Sequence, residues 1–79
     1  MIISTYRSPR TGATKLFSTH RGLESGRRTL RRYRNHAVYL DLRLWVVDDV
    51  QAERLGLSSR SAVDAEVSES DLLGAREVS

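Results

Sequence analysis

The chain contains no cysteine, a single proline, a single lysine and only five aromatic residues (three tyrosines, one phenylalanine and one tryptophan). Without cysteine there is no disulfide to staple a small fold and no thiolate set for structural zinc. That absence also fits a reducing compartment. Long apolar runs are missing as well. The N-terminal MIISTYRSPR is too short in apolar residues for a secretory signal, and no stretch is long enough to span a bilayer. A cytoplasmic protein without membrane contact is therefore the expectation.

The signatures of catalysis are equally sparse. His20 and His36 stand sixteen positions apart and form no dyad or ligand spacing. Serine is abundant, yet there is no G-x-S-x-G elbow, and Gly12, Gly22 and Gly26 are too scattered to cradle a phosphate. The adjacent carboxylates Asp48 and Asp49 are accounted for by helix capping. We expect no catalytic residues, no metal and no cofactor, and hence a protein that is not an enzyme.

What the chain does have is charge, unevenly placed. At 79 residues, with 39% hydrophobic and 29% charged content, it makes one small globular domain. Such a domain must pack efficiently, form a homo-oligomer or lean on a partner. Residues 1–47 carry ten basic side chains against Glu24 and Asp41, a balance of +8. Residues 48–79 carry eight acidic side chains against Arg54, Arg60 and Arg76, a balance of −5. Either the two halves form separate basic and acidic surfaces, or they lie against each other and partly neutralise.

Local patterns predict an α+β fold. IISTYR at 2–7 and KLFSTH at 15–20 are rich in β-branched and aromatic types, and SPRTGA between them supplies Pro9 and Gly12 for a turn. This reads as a hairpin. In GLESGRRTLRRYRN, Ser25 is a candidate helix N-cap. HAVYLDLRLWVVDD alternates strictly, with Val38, Leu40, Leu42, Leu44 and Val46 on one side and Tyr39, Asp41, Arg43, Trp45 and Val47 on the other. That pattern predicts a long strand with one fully buried face. Asp48 and Gln51 have capping-box spacing, and Gly56 sits where a left-handed cap is needed, giving a helix over 49–55 with Val50 and Leu55 inward. The expected order is β-β-α-β-α with a further strand at 62–67. The whole is a small antiparallel sheet of three or four strands with one or two short helices, compact over 1–67, followed by a loosely held acidic tail at 68–79.

RRTLRRYR, residues 27–34, carries the functional signal. At about 100° per residue on a helix, Arg27, Arg28, Arg31, Arg32 and Arg34 share an arc of roughly 160°, with Thr29, Leu30 and Tyr33 opposite. Arg27 with Arg31 and Arg28 with Arg32 are like-charge i,i+4 pairs, each costing an isolated helix about 0.2–0.5 kcal/mol. Such a face asks for an acidic partner: nucleic acid, an acidic protein surface or the chain's own C-terminal half. Tyr33 either stacks on a base or packs beneath the helix with Leu30.

The leading expectation is a small regulatory protein that contacts nucleic acid through these arginines, with Arg7, Arg10 and Lys15 of the hairpin extending the surface. The alternative is a protein-binding module or inhibitor, of a phage or mobile-element type, docking on an acidic surface of a larger complex. Tyr39, Arg43 and Trp45, if outward, would form its hot spot; the competing reading makes Trp45 part of the core.

Two stretches resemble parts of known families. QAERLGLSSRSAV resembles the first helix and turn of a helix-turn-helix, but the segment that would read DNA bears Asp64, Glu66 and Glu69, which phosphates repel. LGLSSRSAVDAEVSESDLLGAREV is similar to the C-terminal half of swapped-hairpin regulators of the antitoxin type, though the glycine and proline that precede it in that family are absent. Neither assigns a family.

Overall fold

The computed structural model describes residues 1–56, 66–68 and 70–78. Four antiparallel strands form one sheet: β1 (Ile2–Arg7), β2 (Thr14–His20), β3 (Leu40–Val46) and β4 (Arg76–Val78), in the spatial order β2-β1-β3-β4. Two helices, α1 (Leu23–Tyr33) and α2 (Asp49–Arg54), complete the expected β-β-α-β-α-β order. No helix among the described residues is long and apolar enough to cross a membrane.

The β1–β2 hairpin forms as its residues predict. Its turn is closed by Ser8 N–H to Ala13 O (2.9 Å) and Gly12 N–H to Ser8 O (2.8 Å), and Gly12 takes the positive φ of 73° that this closure requires. α2 is likewise capped as read from sequence. The Asp48 carboxylate accepts from Gln51 N–H at 2.8 Å, and Gln51 Oε1 accepts from Asp48 N–H at 3.0 Å. Gly56, at φ 68°, stops the helix. Val50, expected inward, is instead 61% exposed. Gln51 and Ala52 are the buried positions, and Gln51 Nε2 also donates to Leu73 O at 2.7 Å. A helix of this length has room for one inward stripe, and the stripe through 51, 52 and 55 displaces Val50.

The two faces of the sheet are covered differently. α2 and the C-terminal segment cover one of them. Ile3, Leu16, Val47, Ala52 and Val67 form the buried cluster there, flanked by Trp45, Leu55, Leu72 and Ala75. The C-terminal segment starts beside β2, where Val67 N–H donates to Thr14 O (2.8 Å) and the backbone of Glu66 pairs antiparallel with that of Lys15. It then passes under the sheet through a 3-10 turn at Ser70–Leu72 and ends as β4 on the far edge. Within the segment expected as a loose tail, Ser70–Leu72 and Arg76–Val78 thus form this turn and strand. Of the strand expected at 62–67, residues 62–65 lie outside the described residues.

α1 covers the other face. It starts at Leu23 with no side-chain cap bond, and its N-cap, Gly22, lies three residues before the expected cap, so Ser25 lies inside the helix. Gly26 is buried, and a Cβ built there would stand 2.6 Å from Leu44 Cδ1. Glycine at this position therefore lets the helix backbone settle directly on β3.

Two bulges set what faces α1. Between β1 and β2 the register passes from Ser4↔Ser18 to Thr5↔Leu16, leaving Phe17 as an extra residue. Between β1 and β3 it passes from Thr5↔Arg43 to Arg7↔Leu40, and Asp41 there takes φ 51°. The unbroken alternation read over 38–47 is thus interrupted. β3 begins only at Leu40, Val38 is half exposed, and of the five residues assigned to a fully buried face only Leu44 is buried.

Candidate nucleic-acid interface

The five arginines of RRTLRRYR stand where the helical reading puts them. Arg27, Arg28, Arg31 and Arg32 on α1 and Arg34 at its C-cap are all exposed, while Thr29, Leu30 and Tyr33 are half-buried beneath. Glu24 reaches Arg28 at 3.9 Å, a highly exposed i,i+4 pair that contributes little. Arg27, Arg31 and Arg34 also rim a groove of about 230 Å³ floored by Leu30, Leu44 and Val78.

The hairpin cations divide between the two sides. In register Lys15 stands opposite Tyr6, whose ring belongs to the α1 side, but Glu66 is its other neighbour. Arg7 lies on the opposite side, lining a cleft of about 470 Å³ with Thr14, Asp41, Arg43, Trp45, Leu72 and Leu73. Arg10 is exposed in the turn. One cation missed from sequence joins the α1 side: Arg76 pairs in register with Val46, two residues from Leu44, and is exposed. Only a long-range strand pairing places it there, so no local signal announces it.

Tyr39, Arg43 and Trp45 do not form one outward cluster, because the bulge at Asp41 changes the parity between them. Tyr39 packs on the α1 side against Tyr6 (ring centroids 5.1 Å apart), Phe17 (4.6 Å) and Tyr33 (5.6 Å). Trp45 lies on the other side, half-buried against the core, with its indole N–H donating to Thr5 Oγ1 at 2.9 Å. Arg43 is held by Asp41 (3.3 Å) and Glu77 (2.8 Å), and these hydrogen bonds, that to Asp41 first, raise its pKa above the ordinary arginine value.

The histidines also part company. His20 Nε2 lies 2.8 Å from Oγ of Ser4, which is fully buried beneath α1, and burial holds the imidazole below its ordinary pKa. His36 is exposed and packs on Tyr33 and Tyr39.

Most of the described acidic residues lie across the sheet from α1, although Arg7 and Arg43 share that side and Glu66 stands beside Lys15 on the other. α2, with Asp48, Asp49 and Glu53, and the C-terminal turn with Asp71 lie on the side away from α1, and Glu77 pairs in register with Trp45 on that same side. The Asp71 carboxyl, bonded by Ser68 N–H and then by the Ser68 hydroxyl, is held below the usual carboxylate pKa. Comparison with family models, with curated proteins and with solved structures finds no match.

Proposed function

We propose that this protein is a small, non-enzymatic regulatory protein that contacts nucleic acid through the arginine face of α1. The observation that carries the reading is the placement of Arg27, Arg28, Arg31, Arg32 and Arg34 on the exposed side of a helix seated across the sheet from α2 and the acidic turn. Phosphates are the partner that such a row neutralises most simply. Arg76 and Lys15 extend the row at its borders, whereas Arg7 faces the other side of the sheet.

A salt titration tests it. With about five phosphate contacts, the log–log slope of affinity against salt is near −4.5 on duplex DNA, or about a 500-fold loss between roughly 50 and 200 mM. Arg28→Ala/Arg31→Ala/Arg32→Ala flattens that slope by about 2.7. Absence of binding at low salt sinks the proposal.

One observation favours a second reading, docking on an acidic surface of a larger protein complex. The groove beside the arginines has an apolar floor of Leu30, Leu44 and Val78, and a phosphate backbone has nothing to bury there. If that reading holds, Leu30→Ser weakens partner capture while leaving DNA binding absent in both chains.

A further inference from the structure

We propose that the ligand of the arginine face is single-stranded nucleic acid, and that His36 with Tyr39 forms the platform on which an unpaired base stacks. The inference rests on the nucleic-acid reading above and specifies it.

Four of the chain's five aromatic residues gather at the C-terminal end of α1. Tyr6, Phe17, Tyr33 and Tyr39 form one connected ring cluster, and His36 caps it. Tyr33, His36 and Tyr39 come from one short segment and are spaced by three. Two successive turns place them, closed by His36 N–H to Tyr33 O (3.0 Å) and Tyr39 N–H to His36 O (3.2 Å). Tyr39 is gripped from its own side by near-perpendicular contacts, at 87° to Tyr6 and 89° to Tyr33. The imidazole of His36 leans over it at 4.9 Å with a tilt of 38° and is itself exposed. The outermost ring of a braced stack is therefore presented to solvent.

The position of this stack selects the strand state. Arg34 ends the arginine row and His36 follows two residues later, so a backbone tracked along α1 delivers its next base to the rings. In a duplex the base faces are already occupied by their neighbours, and only phosphates reach such a surface. An unpaired base offers its π-face to any aromatic ring, whatever its identity. Basic track and terminal ring together match a single strand, and the track alone would serve a duplex.

The experiment compares a thymidine oligonucleotide of about 20 nucleotides, its fully abasic counterpart and a duplex of equal length, on wild type, His36→Ala and His36→Tyr. His36 is exposed, so the alanine variant probes the ring and not the fold. We expect His36→Ala to lower the ratio of single-strand to duplex affinity about tenfold. His36→Tyr restores that ratio, and the abasic strand is bound alike by all three proteins. If His36→Ala leaves the ratio unchanged while the triple arginine variant abolishes binding, the base platform is refuted and the general nucleic-acid reading stands. If neither nucleic acid binds wild type at low salt, that reading fails and takes the platform with it.

Discussion

Gly26 is the position where the seating of α1 can be tested most directly. An exposed glycine in a helix interior costs about 1 kcal/mol relative to alanine, so Gly26→Ala on a free helix would stabilise. Here the added Cβ stands 2.6 Å from Leu44 Cδ1, 3.2 Å from Cδ2 and 3.3 Å from His20 Cδ2. Leu44 is 1% exposed and lies between β1 and β4, so its methyls can give way only toward the groove beside Leu30 and Val78. Overpacking of this kind costs about 1–3 kcal/mol. The two terms oppose each other and the steric one wins, leaving a net loss near 1 kcal/mol, or several degrees in Tm for a domain of this size.

A second substitution makes the reasoning refutable. Leu44→Val withdraws both δ-carbons at a cost of about 1–2 kcal/mol by itself. In that background the alanine methyl enters vacated space, and Gly26→Ala should become neutral or stabilising. Thermal and urea unfolding of the four proteins gives the coupling energy, which we expect to be favourable by about 1–2 kcal/mol. If Gly26→Ala raises Tm in the wild-type background, or shifts it equally in both, α1 is not seated on Leu44 through Gly26.

Three further outcomes follow from part-buried polar contacts. His20 has a folded pKa below its unfolded value of 6.5, so on acidification the unfolded chain takes up the proton first. The stability concerned is complete above about pH 6.5 and is lost as pH falls from there through the lower folded pKa. Denaturant unfolding at about pH 7.5 and about pH 5.5 should show that loss in wild type and less of it in His20→Gln; equal losses would exclude His20 as its source. Asp48→Ala removes the forward half of the α2 capping box and should cost about 1 kcal/mol. Gln51→Ala removes the reverse half and the buried bond to Leu73, so its loss should exceed that of Asp48→Ala in the same unfolding assay.

How much of this was legible depends on the range of the cause. The hairpin, the capping box and the left-handed Gly56 rest on residues within a few positions of one another, and composition reveals them. The arginine face is equally local, since a helix converts spacing into an arc without outside help. By contrast, the alternation over 38–47 conceals the bulge at Asp41, because an aspartate tolerates positive φ and leaves the period-two pattern intact on paper. That one conformation separates Tyr39 from Trp45 and brings it to Tyr33. The second bulge, at Phe17, likewise turns a strand residue into the centre of the ring cluster. β4 is three residues whose only warrant is β3, and Gly26 reads as a weak helix residue until Leu44 is seen below it. The arginine half of the candidate site was thus visible, and the aromatic half depended on contacts between distant segments.

The choice between self-neutralisation and a free basic surface turns on layer geometry. Packed layers in proteins lie about 10 Å apart, so charges on α2 and the C-terminal turn sit more than one layer from the arginine heads on the far side of α1. Between exposed groups at such separations, a Debye length of about 8 Å leaves little interaction at physiological salt. Glu77, the acidic residue on β4, is already engaged with Arg43. The described acidic residues of α2, the C-terminal turn and β4 therefore leave the field outside α1 largely uncancelled. On the proposed reading, a polyanion approaching α1 meets mostly its exposed arginines. Such an arrangement orients the encounter as well as strengthening it, presenting the arginine row first and the His36 end of α1 with it.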